Sequence, residues 1–291
     1  MKLTSVKNVQ DIMKRHNLKF NKGYGQNFLI NDAIPKRIAA ECGADENSGI
    51  LEIGPGIGTL THELCTTYQK VVAVEIDKNL ISVLEETMSG FQNLKIINAD
   101  ILKINIAELI RTEFGDMRVT VCANLPYYIT TPIIMSLLES EIKFDNITVM
   151  IQKEVALRLC AKPGQTEYGA ITASVMRYGT VTKLFNVSAG NFLPAPKVDS
   201  AVIRIAIYKV PIYLVKSEKI MSRCIRGAFA QRRKTLVNSL SSEFHELRKV
   251  KLTEILESCG YSGGMRGEQL GTSDFAVISN QIYDYITESE I

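Results

Sequence analysis

Four consecutive residues, Asn124-Leu125-Pro126-Tyr127, place two hydrogen-bond acceptors, a proline and an aromatic ring side by side. A substrate group that can use two acceptors is the exocyclic amine of adenine, which is a weak nucleophile because its lone pair is delocalised into the ring. The side-chain oxygen of Asn124 and the backbone carbonyl of Leu125 can each accept one amine hydrogen and direct the lone pair toward a methyl donor. Pro126 stiffens the turn, and Tyr127 offers a face on which an extruded base can stack. The pattern predicts adenine methylation, with an ordinary strand-to-helix turn as the alternative for these residues in isolation.

A glycine-rich segment, Gly54-Pro55-Gly56-Ile57-Gly58, follows a predicted apolar strand. Glycines there let the backbone pass close to a ligand, and the N-terminus of the following helix supplies N–H donors. A dinucleotide fingerprint needs the pattern G-x-G-x-x-G, whereas here Gly58 comes one residue early and Thr59 stands in the expected place. The segment predicts a cofactor site that is not of the dinucleotide type, unless it is only a tight structural turn.

Acidic residues follow the next two predicted strands. Glu75 can accept hydrogen bonds from both hydroxyls of a ribose, as in NAD and S-adenosylmethionine sites. Asp100 can accept one from an adenine amino group, while Ile76 and Ile101 pack against the ring faces. Asp77 is expected to cap the following helix. A glycine-rich loop and two acids at three successive strand ends fit the crevice of an open α/β sheet and favour a nucleoside cofactor without a pyrophosphate.

The elements that must position these residues alternate between apolar strands and amphipathic helices from residue 50 onward. Strands are predicted at 50–53, 71–74, 94–97, 119–122 and 147–151, and helices near 59–67, 78–88, 105–113, 131–139 and 152–160. Strands that are apolar on both faces and alternate with helices predict a parallel sheet covered on each side. We therefore expect a Rossmann-like α/β sheet.

The segments on either side of this pattern differ from it. A short basic helix is expected at 4–16, and another helix near 168–177. Two strands, Val181–Val187 and Ala201–Tyr208, are close enough in sequence to form an antiparallel hairpin at the sheet edge. After Pro211 the pattern is helical to the end of the chain, which predicts a small all-helical C-terminal domain.

We expect the cofactor-binding catalytic domain to span residues 1–210 and a helical RNA-binding domain to span 211–291. Residues 212–250 hold nine Lys or Arg against three Glu, a local net charge of +6 in a chain of net charge +3. Within them, Gln231-Arg232-Arg233-Lys234 is predicted to be a basic cluster on a helix that contacts RNA phosphates, with a solvated helix face as the alternative. Lys197 and Arg204 could contact phosphate or remain solvated.

The cysteines and histidines are not spaced as metal ligands. The six cysteines are scattered without a CxxC pair and are expected to be buried reduced thiols, and the three histidines lack partners at ligand spacing. No metal is therefore expected. The chain has no apolar run of 18 residues and no signal-peptide pattern, so we expect a soluble, cytoplasmic protein.

From about Gly25 to Leu240 the sequence resembles the small-subunit ribosomal RNA adenine N6,N6-dimethyltransferase family, whose relatives include the macrolide-resistance methyltransferases. The motifs that carry this resemblance are Gly25-Gln26-Asn27-Phe28-Leu29, Glu52-Ile53-Gly54-Pro55-Gly56-Ile57-Gly58, Asn124-Leu125-Pro126-Tyr127-Tyr128-Ile129, Gln152-Lys153-Glu154-Val155, Pro194-Ala195-Pro196-Lys197-Val198-Asp199-Ser200-Ala201-Val202 and Gln231-Arg232-Arg233-Lys234-Thr235. Tyr128 departs from the family pattern, since many members have Asn there. That change leaves the acceptor pair intact but can alter how the target is positioned.

The resemblance also implies roles for individual residues. It implies that six residues contact S-adenosylmethionine: Asn27, Leu29, Gly54, Glu75, Asp100 and Asn124. To these the residue pattern adds Gly56, Ile76 and Ile101 as cofactor contacts. Phe192 would face Tyr127 and sandwich the base, although its spacing fits a core residue equally well.

The implied reaction is dimethylation of N6 on adjacent adenosines in a 16S ribosomal RNA hairpin, with one S-adenosylmethionine used for each methyl group. The implied partner is small-subunit RNA in a pre-30S particle, the implied role is in subunit biogenesis, and a monomer is expected. A large-subunit methyltransferase of the resistance type is the nearest alternative, against which Leu125 and the motifs at 152–154 and 231–235 stand. An NAD-dependent oxidoreductase and a catalytically silent RNA-binding assembly factor are the others.

Overall fold

A computed structural model describes residues 2–18, 20, 23, 25–231 and 233–289. In chain order, the helices and strands of this part are α1 (Val6–Arg15), β1 (Phe28–Leu29), α2 (Ala33–Ala40), β2 (Gly49–Ile53), α3 (Thr59–Thr67), β3 (Lys70–Glu75), α4 (Lys78–Thr87), β4 (Leu94–Asn98), α5 (Ile106–Phe114), β5 (Val119–Asn124), α6 (Thr130–Leu138), β6 (Asn146–Gln152), α7 (Lys153–Leu159), α8 (Ala170–Met176), β7 (Gly179–Val187), β8 (Phe192–Leu193), β9 (Ser200–Ile207), α9 (Glu218–Ala230), α10 (Leu236–Ser241), α11 (Lys249–Ser258) and α12 (Thr272–Ser289). Each strand and helix predicted between residues 50 and 160 is present, with ends shifted by at most two residues.

Contacts within the described chain divide it into two compact units. The first comprises Met1–Ala156 and Thr180–Lys209, and the second comprises Leu157–Gly179 and Val210–Ile291. The break after Lys209 lies one residue from the expected boundary, whereas Leu157–Gly179, expected in the first domain, is grouped with the C-terminal helices. The reason is its buried side chains: Tyr168 belongs to the helical core, and its hydroxyl donates to the carbonyl of Leu270 at 2.9 Å.

The first unit is built on a seven-stranded sheet in the described residues, with the order β4-β3-β2-β5-β6-β9-β7. The pairs β4–β3, β3–β2, β2–β5 and β5–β6 are parallel, while β9 is antiparallel to β6. The predicted hairpin strands, β7 and β9, lie side by side at the edge as expected. Because β2 is flanked by β3 on one side and β5 on the other, the strand order reverses there and opens a crevice at the carboxyl ends of these strands.

The helix boundaries of the first unit follow from local capping. Asp77 accepts the backbone N–H of Asn79 and caps α4, as predicted, and Asn105 caps α5 in the same way through Glu108. Every residue of β2 is buried, which explains why its sequence shows no alternation.

The second unit has its own apolar core. Leu157–Gly179 and α9 to α12 contribute buried side chains to it, and the rings of Tyr168 and Phe275 each lie within 6 Å of Phe229. Part of its positive charge is neutralised internally, because Arg223 pairs with Glu246 at 2.7 Å and Arg226 pairs with Glu243 at 2.6 Å.

Membrane-spanning helices, metal-ligand groups and disulfide bonds are absent from the described residues. Within the described ranges, no helix has the length and apolar character needed to cross a membrane. The same residues contain no group of three or more His, Cys, Asp or Glu arranged to hold a metal ion. None of the six cysteines, all of which lie in the described ranges, forms a disulfide bond, and four of them are buried.

Candidate active site

A cavity opens at the carboxyl ends of β2, β3 and β5 and encloses about 1010 Å³ of empty space, part of it open to solvent. Four segments line it: residues 25–29, the glycine-rich loop, the ends of β3 and β4, and the turn from Asn124 to Ile129. The catalytic turn and the cofactor residues predicted from the sequence therefore meet in one place.

The glycine-rich loop adopts a backbone that side chains tolerate poorly. Gly54 has φ +69° and Gly56 has φ +62°, both in the left-handed region. A Cβ on Gly56 would also lie only 3.1 Å from Cε1 of Phe28. The Gly56 N–H donates to Oε2 of Glu75 at 3.1 Å, so the loop and the end of β3 form one wall of the cavity.

Glu75 is buried and held by backbone donors. One carboxylate oxygen accepts from the Gly56 N–H, and the other accepts from the N–H of Asp77 at 2.9 Å. Burial raises the pKa of this carboxyl above its ordinary value, and the two backbone N–H groups act in the opposite direction. Each oxygen keeps a further lone pair, so the carboxylate can still accept both hydroxyls of a ribose.

The adjacent wall provides an acid between two apolar side chains. Asp100 accepts the N–H of Leu102 at 3.0 Å and keeps its second oxygen beside Lys103 at 3.5 Å. Ile76 is 39% exposed and Ile101 is 5% exposed, and both line the cavity. An exposed isoleucine in a cavity wall gives an apolar face that a planar ring can cover.

The side-chain amide of Asn124 has a defined orientation. Its Nδ2 donates to the carbonyl of Asn27 at 3.4 Å, which leaves Oδ1 as the acceptor end of this cavity-lining side chain. No residue in the described part of the chain donates a hydrogen bond to that oxygen. The acceptor predicted from the sequence is therefore present and available.

The Leu125 carbonyl supplies a second acceptor. The N–H of Leu125 donates to Met150 at 3.1 Å and fixes the start of the turn, while the carbonyl of Pro126 is occupied by the N–H of Ile129 and the hydroxyl of Thr130. Among the residues that the structure describes, none donates to the carbonyl oxygen of Leu125. Two acceptors thus follow β5 in consecutive residues, as an amine with two hydrogens requires.

The two tyrosines of the turn have different environments. Tyr127 is half-buried and its hydroxyl lies 2.6 Å from Oγ of Ser200, and burial raises its pKa. Tyr128 is exposed, and its ring lies against Gly25, where a Cβ would be 3.5 Å from Cδ1. Tyr127 therefore has a fixed ring at the cavity wall, whereas the exposed ring of Tyr128 lines the cavity beside the N-terminal segment.

Phe192 does not take the position that the family resemblance implies. It is 2% exposed, pairs with Leu29 in the small β1–β8 sheet, and packs in a core with Val187 and Val202. It is not among the described residues that line the cavity. The alternative interpretation, a core residue, is the one that the structure shows, because β8 turns this ring away from solvent.

Several residues of the cavity are not predicted from the sequence, and two of them are charged or polar groups with defined environments, Gln26 and Glu52. Gln26 lines it and donates from Nε2 to Oδ2 of Asp77 at 2.8 Å, a contact that no spacing rule reveals. Glu52 also lines it, and burial raises its pKa to about 8. Glu52 had a signal in the sequence, since an isolated carboxylate inside a fully apolar strand is costly to bury and marks a special position.

The described residues of the basic cluster, Gln231, Arg233 and Lys234, do not lie on a helix. Helix α9 ends at Ala230, Gln231 leaves the helical region with φ −136°, and the N–H of Lys234 closes a turn on the Gln231 carbonyl at 2.9 Å. Arg233 and Lys234 are exposed there, and Arg232 lies outside the described residues. The prediction of a helix was wrong because a new helix, α10, begins with its own N-cap at Thr235.

The two other candidate phosphate contacts differ from each other. Lys197 is exposed in the loop that precedes β9. Arg204 is half-buried, and its Nη1 donates to the carbonyl of Glu41 at 3.4 Å, so it stabilises the first unit from within. Only Lys197 of this pair is left with a solvated side chain.

Residues 17–259 match the family model described as ribosomal RNA adenine dimethylase. The chain is 40% identical to Ribosomal RNA small subunit methyltransferase A of Alkaliphilus metalliredigens over 97% of this chain and 98% of that protein. It is 41% identical to the protein of the same name from Clostridioides difficile, over 97% of each chain.

Two solved structures are similar as well. A dimethyladenosine transferase from Plasmodium falciparum is 25% identical with a TM-score of 0.73, covering 90% of this chain and 98% of that one. The 23S rRNA methyltransferase ErmE is 24% identical with a TM-score of 0.68, covering 88% of this chain and all of its own, and that likeness concerns the fold alone.

Proposed function

The chain belongs to the ribosomal RNA adenine dimethylase family, and we infer that it transfers methyl groups from S-adenosylmethionine to adenine N6 in small-subunit ribosomal RNA. The single observation that carries the site assignment is the pair of available acceptors, Asn124 Oδ1 and the Leu125 carbonyl, in the same cavity as Glu75 and Asp100. Two such acceptors side by side at the cofactor cavity match an amine with two hydrogens.

The residues that line the cavity suit S-adenosylmethionine. The close approach of Phe28 to Gly56 leaves room only for bare backbone in this loop, and Glu75, which accepts from the Gly56 N–H, would accept the ribose hydroxyls. Ile76 and Ile101 would pack against the faces of the adenine ring, and Asp100 would accept from its amino group. Asn27 and Leu29 close the remaining side. S-adenosylmethionine supplies the electrophilic methyl group on its sulfonium.

The protein's part in the chemical step is to orient and polarise the target amine. Hydrogen bonds from the amine to Asn124 Oδ1 and to the Leu125 carbonyl hold both N–H groups and leave the lone pair directed at the methyl group. Positive charge develops on the nitrogen as the new bond forms, so these two hydrogen bonds strengthen in the transition state. No strong general base is needed to start the reaction. As the N–C bond forms, the bond from the methyl carbon to sulfur breaks and leaves a neutral thioether, and the methylated nitrogen then releases one proton to solvent.

Tyr127 provides the surface for the extruded base. Its ring is fixed at the edge of the cavity by the hydrogen bond to Ser200, and a base stacked on it is shielded from water on one face. With Phe192 in the core, we assign the single stacking face to Tyr127. The assignment explains why the turn places an aromatic residue directly after the two acceptors and Pro126.

The identity of the RNA substrate and the residues that bind it are inferred from the named relatives and from the distribution of positive charge. Relatives that share about 40% of the sequence are named small-subunit methyltransferases, so we favour 16S RNA in a pre-30S particle over the large-subunit alternative. Arg232, Arg233, Lys234 and Lys197 are assigned to phosphate contacts. We further propose a role in small-subunit biogenesis, a monomeric state and a cytoplasmic location, where that substrate is found.

The reaction can be tested in cells by mapping N6,N6-dimethyladenosine in ribosomal RNA from strains with and without the gene. We expect the modification on adjacent adenosines of small-subunit RNA only when the gene is present. Modification of large-subunit RNA instead would favour the resistance-type alternative, and an unchanged map would leave the assembly-factor alternative.

A further inference from the structure

The side chain of Gln26 connects the N-terminal wall of the cavity to the end of β3. Its Nε2 donates to Oδ2 of Asp77 at 2.8 Å. Asp77 is 5% exposed, and its Oδ1 is already used to cap α4 through the N–H of Asn79. The capping role therefore accounts for only one oxygen of this buried carboxylate, and Gln26 satisfies the other.

The next residue connects the same segment to the catalytic turn. Asn27 donates from its side chain to the carbonyl of Gly25 at 2.9 Å, and its own carbonyl accepts from Nδ2 of Asn124 at 3.4 Å. A carboxamide has one donor end and one acceptor end. The Asn27 carbonyl therefore decides which end of the Asn124 side chain is presented to an amine in the cavity.

These contacts form a continuous path across the site. It runs from Asp77 at the end of β3, through the Gln26 side chain and the Asn27 carbonyl, to the amide of Asn124 at the end of β5. Asp77 is also tied to Glu75, whose Oε1 accepts its N–H at 2.9 Å. The path thus begins beside the acid assigned to the ribose and ends at the acceptor assigned to the target amine.

We propose that Gln26 and Asp77 form a latch that sets the position of the Asn27 carbonyl and, through it, the acceptor end of Asn124, so that Gln26 is a positioning residue for methyl transfer. This inference rests on the proposed function, because it assigns Gln26 a part in that reaction. Gln26 acts through Asn27 and Asn124 and does not need to contact the adenine.

Two simpler roles for Gln26 give different kinetics. A residue that only anchors the chain lowers thermal stability when changed and leaves kcat intact. A residue that only contacts the cofactor raises the KM for S-adenosylmethionine and leaves the rate at saturation intact. The latch predicts a slower rate of methyl transfer at saturating cofactor and RNA when Gln26 is changed, because the Asn124 oxygen is then misplaced.

The test uses a polarity exchange across the latch. Gln26→Glu places a second carboxylate against Asp77 and should break the contact. Adding Asp77→Asn should restore it, since Nδ2 of the new amide can donate to the new carboxylate. The new asparagine also keeps an Oδ1 that caps α4. Gln10→Glu, on the exposed face of α1, is the matched control for charge.

The measurement is single-turnover methylation of immature small subunits by the full-length chain at saturating S-adenosylmethionine. We expect Gln26→Glu to be slower by roughly 10-fold to 100-fold, the double variant to recover to within about threefold of wild type, and Gln10→Glu to match wild type. If Gln26→Glu does not fold, Gln26→Met, which keeps the length and removes the donor, should show the same reduction in rate.

Three results would overturn the latch. They are wild-type rates in Gln26→Glu or Gln26→Met, a change confined to the KM for the cofactor, and a double variant that folds but remains as slow as Gln26→Glu. Each of these three results can be recognised only if the wild-type protein is active. An inactive wild type would instead count against the proposed function, so the two failures are distinguishable.

Discussion

The hydroxyl of Tyr127 lies 2.6 Å from the hydroxyl of Ser200, which joins the turn after β5 to the first residue of β9. Ser200 is fully buried, whereas Tyr127 is half-buried with part of its side chain in the cavity wall. This hydrogen bond therefore fixes an aromatic ring at the place where the target base is expected to stack.

Replacing Tyr127 should separate the contribution of the ring from that of the hydroxyl. Tyr127→Ala should slow methyl transfer on the order of 10-fold to 100-fold, because the base no longer has a stacking surface. Tyr127→Phe keeps the ring and should be slowed only mildly, while the unsatisfied Ser200 lowers stability by about 1–3 kcal/mol. Single-turnover rates and thermal melts measure the two effects, and equal rates for Ala and Phe would contradict a stacking role.

Glu75 should determine cofactor affinity. Glu75→Ala removes both acceptors for a ribose and also leaves the Gly56 N–H without its partner, so S-adenosylmethionine should bind on the order of 100-fold more weakly. Glu75→Gln retains one acceptor oxygen, so its affinity for S-adenosylmethionine should fall between that of the wild type and that of Glu75→Ala. Calorimetric titration with S-adenosylmethionine, S-adenosylhomocysteine and NAD provides the measurement. Tight binding of NAD and none of the sulfonium cofactor would contradict the site assignment.

Glu52 should make stability depend on pH. Burial raises its pKa from 4.5 to about 8, so the folded state favours the neutral carboxyl. The stabilisation that the neutral Glu52 carboxyl gives the folded state is fully present below about pH 4.5 and is lost as the pH rises through about 8. The Tm of the wild type should therefore fall relative to that of Glu52→Gln between pH 5 and pH 9. A constant Tm difference over that range would mean that the carboxyl is not perturbed.

The basic loop after α9 should carry RNA affinity without touching the cofactor. Changing Arg232, Arg233 and Lys234 to Gln should weaken binding to small-subunit particles and reduce the salt slope by about one for every phosphate that the loop no longer neutralises. S-adenosylmethionine affinity should stay unchanged. Lys7→Gln with Lys14→Gln on the exposed face of α1 is the control. Wild-type RNA affinity at several salt concentrations would show that the loop is only a solvated surface.

Most of the site could be predicted because it lies where strands end. Burial of β2 and β3 on both faces makes their limits visible in the sequence, and the parallel arrangement brings their carboxyl ends together. Gly54, Glu75 and Asp100 were therefore placed in one cavity without knowledge of any contact. Asn124 followed by the same reasoning, since β5 is the neighbour of β2 on its other side.

The features that could not be predicted depend mainly on contacts between distant parts of the chain. Burial of Phe192 results from the pairing of β1 with β8, two short strands that periodicity cannot show. Gln26 meets Asp77 across 51 positions in sequence. The sequence predicts a helix through the basic cluster, and only the backbone angles of Gln231 reveal that α9 has ended.

The central claim is that the Asn124 oxygen and the Leu125 carbonyl hold the target amine for methyl transfer. Its most direct test is the single-turnover methylation rate of Asn124→Ala on immature small subunits with labelled S-adenosylmethionine. Asn124→Asp serves as the matched variant, since it keeps an acceptor oxygen but cannot donate to Asn27. We predict a loss on the order of 10²–10³-fold for Asn124→Ala, an intermediate loss for Asn124→Asp, and unchanged particle binding. A rate near that of the wild type for Asn124→Ala would contradict the assigned reaction at this site.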